Sequence, residues 1–285
     1  VHTYNEGRAP QRHREMQWVS RIQQACEEDR LVLHFQPIVS IGASAATGRQ
    51  FEQLLRMRDE NGQLVQPDEF IPAAERFNLR PTVDRWVVRQ ACRHLAHRRE
   101  NEGEFEPYCV TINVSATTIN DEHFLPFVIA EIAESDVTPG SLCFELTEAT
   151  VMTSLAAATH FIGELRKLGV KFALDDFGSG LSSFVFLKSL PVDFVKIDGA
   201  FVHNVATDAI DRSMVEAITQ IAGAMGIATV AERVDSAEVL EQLGAIGVQF
   251  AQGHYLASPQ PVESMLAQVQ QECIPRRGKA SLKAG

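Results

Sequence analysis

The chain has 285 residues, 45% hydrophobic, with 37 acidic against 26 basic side chains and a formal charge of −11. That length suits one large α/β domain, and the acidic balance excludes long nucleic acid as a partner, because phosphate backbones are held by neutralising Lys and Arg. The odd set Cys26, Cys92, Cys109, Cys143 and Cys273, with no C-x-x-C spacing, argues against a disulfide framework or a zinc site and for a reduced, cytoplasmic setting; no apolar run reaches the length of a membrane span, so no membrane contact by this chain is expected, although a parent protein could be anchored.

The first stretch, "VHTYNEGRAPQRHREMQW", mixes charge with little apolar periodicity and reads as a linker, residues 1–19, cut from a longer protein. Val19, Ile22 and Cys26 then recur at helical spacing. Strand patterns follow in order: "LVLHFQPI" (31–38), "FEQLLRM" (51–57), "YCVTINV" (108–114), "LCFELT" (142–147), "KFALD" (171–175), "DFVKI" (193–197), "ATVAE" (228–232) and "GVQFA" (247–251). Most are separated by patterns long enough to be crossover helices, such as "FLPFVIAEIAES" and "RSMVEAITQIAGAMG". Eight such units predict a TIM-like (β/α)8 barrel. The exception is "VSIGASAATGRQ", which has no helical face, so the first strand is expected to run antiparallel to the second. The basic end "IPRRGKASLKAG", within 266–285, reads as a disordered tail.

In such a barrel the active site lies at the C-terminal strand ends, and here those ends are polar. Glu52, Asn113, Glu145, Asp175, Lys196, Glu232 and Gln252 fall in or just after strands two to eight. Strand alternation turns Asn113 away from Ile112 and Val114, and Lys196 away from Val195 and Ile197, so both face inward. A buried ammonium needs carboxylate or phosphate nearby. Asp175 and Asp176 would face opposite sides of one strand, so that strand is expected to end between them, letting both address one centre. Carboxylates with an amide oxygen, and no Cys or His, suit Mg2+ or Mn2+, and such centres often hold two ions in phosphodiester chemistry.

The string "QPI" (36–38), "EQLLR" (52–56), "FIPAAE" (70–75), "INVS" (112–115), "ELTE" (145–148), "DDFGSG" (175–180), "VKID" (195–198), "AERVD" (231–235) and "QGHYL" (252–256) resembles the EAL-type cyclic di-GMP phosphodiesterases over residues 20–265. The resemblance implies metal-dependent hydrolysis of one phosphodiester bond of cyclic di-GMP to linear pGpG, with two Mg2+ or Mn2+ ions. By the same resemblance Glu52, Asn113, Glu145 and Asp175 ligate the first ion, Asp176 the second, and Glu232 acts as ligand or general base. Lys196 orients the attacking water and offsets phosphate charge, Gln252 supports the water held at the metal, Gln36 and Arg56 contact the ligand, and Glu148 steadies the loop after Asp176. A homodimer is also implied. "VHTYNE" with the charged stretch after it resembles the end of a GGDEF domain and its linker.

Three departures stand out. Glu52-Gln53-Leu54 replaces Glu-Ala-Leu, with little effect expected because Gln53 turns away from Glu52. Arg233 replaces a glycine beside Glu232, and Gln249 replaces an aspartate before the Gln-Gly pair. The alternatives are a cyclic di-GMP receptor that does not cleave its ligand, an enolase-like metal enzyme, and a Schiff-base aldolase using Lys196.

Overall fold

The computed structural model describes residues 8–41, 49–101, 108–178 and 184–264. Eight strands close a barrel: β1 (Leu31–Ser40), β2 (Arg49–Arg58), β3 (Tyr108–Asn113), β4 (Leu142–Thr147), β5 (Lys171–Phe177), β6 (Phe194–Ile197), β7 (Ala228–Ala231) and β8 (Phe250–Ala251). Strands β2 to β8 pair in parallel, each with the next. β1 closes the ring antiparallel to both β2 and β8. The expected fold is the observed one, inverted first strand included. Its cause is local: residues 41–48 leave too little chain for the helical crossover that a parallel pair requires.

The first helix is longer than the spacing of Val19, Ile22 and Cys26 suggested, running Arg8–Glu27. Helices Arg80–Asn101, Phe124–Ser135, Leu155–Arg166, Ala209–Ala224 and Ala237–Ile246 alternate with the strands. Their starts are set by short polar caps where the sequence supplies them. Asp208 accepts from the backbone N–H of Ile210 and Asp211, and Ser236 from that of Val239. The tail 266–285 and the stretch 1–7 lie outside the described residues.

Alternation along the strands builds two layers. Outward residues such as Ile112, Phe144, Phe172, Val195 and Ile197 are buried against the helices, where the rings of Phe124, Phe144, Phe161 and Phe172 meet at centroid distances of 5.5 to 6.0 Å. Inside the barrel, Ile38, Cys109, Cys143, Ala173, Phe194, Val230 and Phe250 form a separate apolar cluster. Two residues further along the parallel strands, and two residues earlier in inverted β1, the inward positions become Gln36, Thr111, Glu145, Asp175, Lys196, Glu232 and Gln252. Period-two geometry thus stacks a polar layer directly on an apolar floor.

Candidate active site

Lys196 is the centre of the polar layer. Its Nζ donates to Glu145 Oε1 and lies 2.6 Å from Glu232 Oε1, 3.2 Å from Glu52 Oε2 and 3.3 Å from Asp175 Oδ1. The side chain is 2% exposed. One ammonium therefore faces four carboxylates from four strands or strand ends, an arrangement that strand pairing positions and no local contact could. Burial alone would favour the neutral amine, but Glu145, Glu232, Glu52 and Asp175 hold the lysine pKa well above its ordinary value.

The carboxylates divide by environment. Burial, then the charge of Asp175, pushes Glu145 well above the usual range. Burial also lifts Glu232 to about 8, against the pull of Lys196. Asp175 goes the other way: burial opposes it, yet Lys196 and hydrogen bonds hold it low. Around them, Asn113 Nδ2 donates to Glu52 Oε1 at 2.9 Å, and Gln252 Nε2 donates to Glu52 Oε2 at 2.7 Å and to Gln36 Oε1 at 3.0 Å. Gln36 Nε2 in turn donates to the Ala257 carbonyl at 3.0 Å. The amide of Gln36 is thus already engaged within the barrel.

One sequence expectation needs correction. The strand does not end between Asp175 and Asp176; β5 continues to Phe177, and its pairing with β6 shifts register between Leu174 and Phe177. Asp176 sits in that irregularity with φ 52°. Such a bulge re-aims a side chain without ending the strand, and aspartate is among the residues that tolerate the left-handed region. The outcome is the expected one by another route: carboxylate oxygens of Asp175, Asp176 and Glu232 lie within 4.8 Å of one another, as do those of Glu52, Glu145 and Glu232. Burial, then the charge of Asp175, raises the pKa of Asp176.

These donors fit a hard divalent cation. They are oxygen ligands in two overlapping groups that share Glu232, and among the described residues no N–H or hydroxyl donor reaches the buried Glu145 Oε2. A buried carboxylate oxygen left without a donor is costly unless a cation or proton serves it.

Glu148 begins the helix Glu148–Thr153, is buried, and its Oε2 accepts from the Gly178 N–H at 3.3 Å, touching the loop after β5. Arg56 lies four residues beyond Glu52 on β2, half-buried, with Nη1 donating to its neighbour's carbonyl at 2.7 Å. The glycine of the Gln-Gly pair has a steric reason: a Cβ at Gly253 would fall 2.1 Å from the Val234 carbonyl oxygen. Gln249 acquires an account as well, since its Oε1 accepts from Thr229 N at 2.8 Å and from Thr229 Oγ1 at 2.6 Å, tying β7 to the approach of β8.

Two residues that sequence reasoning did not single out belong to this description. His34 lies on the inner face of β1, opposite Leu54. Burial, then the charge of Arg56, lowers its pKa. Asp84, 2% exposed, accepts from Ser115 N at 3.2 Å, Ser115 Oγ at 3.1 Å and Thr118 Oγ1 at 2.6 Å, and pairs with Arg80 at 3.2 Å. It clamps the turn that follows Asn113. Its signal was an acid embedded in the otherwise apolar face of "TVDRWVV".

The EAL domain family matches residues 19–259. The chain is 41% identical over 251 residues to the cyclic di-GMP phosphodiesterase PdeB of Shewanella oneidensis, covering 88% of this chain and 29% of that protein. It is 32% identical over 252 residues to the cyclic di-GMP phosphodiesterase PdeF of Escherichia coli, covering 88% and 33%. The chain thus spans about a third of the length of these relatives. Among solved structures it resembles the PaMucR phosphodiesterase in complex with c-di-GMP, with TM-score 0.79, 32% identity and coverage of 87% of this chain and 99% of that one. It also resembles the FimX EAL domain of Pseudomonas aeruginosa bound to c-di-GMP, with TM-score 0.79, 29% identity and coverage of 85% and 96%. On this fold, this polar layer and these matches, the chain belongs to the EAL domain family.

Proposed function

We propose that the chain is a divalent-metal-dependent phosphodiesterase that opens cyclic di-GMP to linear pGpG. The observation that carries the reading is the pair of carboxylate groups sharing Glu232 around one buried lysine, with no N–H or hydroxyl donor to Glu145 Oε2 among the described residues. Glu52, Asn113, Glu145 and Asp175 would hold one cation, and Asp176, with Glu232 beside it, would hold a second. Bound divalent cations draw charge from the phosphoryl oxygens and make water acidic enough to lose a proton near neutral pH.

The chain's own groups do the rest. Glu232, whose carboxylate lies beside those of Asp175 and Asp176, accepts the proton of the attacking water as general base. The water oxygen bonds to phosphorus while the bond to the 3′ oxygen breaks, leaving a 5′-phosphate and, with a proton, a 3′-hydroxyl. Lys196 offsets the charge that grows on phosphorus-bound oxygen. Gln252 keeps Glu52 oriented through its 2.7 Å bond. Arg56 and Gln36 bind ligand at the β1–β2 side, and Glu148 holds the backbone of the loop after β5. Residues 20–265 form the phosphodiesterase unit and 1–19 the linker from an upstream domain. We further propose a cytoplasmic setting and a homodimer; among the described residues no helix is long and apolar enough to cross a membrane.

Incubation with cyclic di-GMP and Mg2+, with and without EDTA, followed by chromatography, tests this. Metal-dependent pGpG supports the reading, and Glu232→Gln should then bind nucleotide while cleaving it at least a hundredfold more slowly. Intact nucleotide that still binds tightly would make the chain a receptor.

A further inference from the structure

Arg233, directly after Glu232, has φ 53°, in the left-handed region where a side chain is strained. Its stem lies over the start of the helix Gly199–His203: a Cβ at Gly199 would come within 2.4 Å of Arg233 Cδ and 2.9 Å of its Cβ. Glycine at 199 is therefore what admits the arginine. Arg233 lines a pocket of about 690 Å³ shared with His203, Asn204, Asp235 and His254. The pocket adjoins the acidic centre, for Arg233 directly follows Glu232 and the N–H of Val234, which also lines the pocket, donates to the Gln252 carbonyl at 3.0 Å.

The other polar groups of this pocket are largely spoken for. Asp235 Oδ2 and His203 Nδ1 are 2.6 Å apart, and Asn204 Nδ2 donates to Asp211 at 3.0 Å. The Arg233 guanidinium has no hydrogen bond or ion pair among the described residues. A planar fork of unused donors, held beside a site for phosphodiesters, matches the oxygens of a phosphoryl group. We infer that Arg233 binds a phosphoryl group of the nucleotide, and that this pocket is an anion-binding part of the ligand site. The inference rests on cyclic di-GMP being the ligand.

The test is equilibrium binding of cyclic di-GMP, and separately of pGpG, to the whole chain as wild type, Arg233→Gly and Arg233→Lys, at two salt concentrations, with melting curves on each. Arg233→Gly should raise Kd about tenfold and flatten its salt dependence, Arg233→Lys should recover part of the loss, and the glycine variant should melt no lower than wild type because its backbone strain is gone. Where turnover is measurable, KM should rise with kcat nearly unchanged. Equal Kd in wild type and Arg233→Gly, or a glycine variant that melts lower and loses KM and kcat together, overturns the assignment. If the wild type binds cyclic di-GMP without cleaving it, hydrolysis falls while the Kd comparison still decides the role of Arg233; if it binds neither nucleotide, both fall.

Discussion

Replacing Lys196 by methionine keeps the length of the side chain and removes the positive charge that, among the described residues, contacts Glu52, Glu145, Asp175 and Glu232 together. With the ammonium 2% exposed, water cannot take its place without rebuilding the barrel interior. Removing one partner of a buried ion pair costs about 3–5 kcal/mol, because the charge left behind is uncompensated. At about 2–4 °C per kcal/mol for a protein of this size, the metal-free variant should melt roughly 6–20 °C below wild type at pH 8.

The deficit should depend on pH with a definite sign. A carboxyl whose folded pKa is raised is destabilising once ionised, so stability falls as pH climbs from the unfolded value, about 4.3 for glutamate, through the folded one. Glu232 already reaches about 8 with Lys196 present, and Glu145 is raised as well. Without the lysine both keep their protons further up the scale. Those two widen the deficit only above about pH 8, whereas Asp175, which Lys196 holds low, opens it from the acid side, so the deficit of Lys196→Met should be smaller at pH 5 than at pH 8 and largest at pH 9. The assay is thermal melting in EDTA from pH 5 to 9, repeated with Mg2+, which should recover more stability in the variant than in wild type. A variant that melts within about 2 °C of wild type at pH 8, on the scale of 2–4 °C per kcal/mol, or one whose deficit is the same at pH 5, would refute the electrostatic argument.

Gln53 is 2% exposed between Phe35 and Ile112, and neither of its amide atoms has a hydrogen-bond partner among the described residues; Gln53→Met should gain about 1–3 kcal/mol in urea unfolding, and a loss would mean a partner exists. Asp84→Ala strips the acceptor from Ser115, Thr118 and Arg80 and should cost about 3–5 kcal/mol, with Asp84→Asn costing distinctly less; equal effects would show that the charge, not the acceptor, matters. Gly253→Ala drives a methyl group to 2.1 Å from a backbone oxygen, and denaturant titration should show a loss of about 3 kcal/mol.

The architecture was legible because both of its signals are local. Apolar runs of strand length separated by helical periods mark eight βα units, and the short link between "LVLHFQPI" and "FEQLLRM" marks the inverted strand. Alternation then says which residues share the barrel interior, so Asn113, Glu145 and Lys196 could be turned inward from the chain alone. Even the two deviations at Gln53 and Arg233 were visible as residue types out of place. What they do was not. Gln53 was expected to matter little, yet it buries an amide without partners, because whether its outer face meets solvent or packed helix is settled by elements distant in the chain.

The same limit applies at the centre. Alternation predicts that Asp175 and Asp176 face apart, and only the register shift against β6, with Asp176 at φ 52°, brings both to Glu232. The convergence of Glu52, Glu145, Asp175 and Glu232 on one ammonium depends on how far each strand is displaced along its neighbour as the sheet closes. Asp84 reaches Ser115 across 31 residues for a similar reason. Residue type and period are properties of a short window and can be read there, whereas a distance between two side chains is the sum of every register, twist and crossover between them, so only the closed barrel decides it.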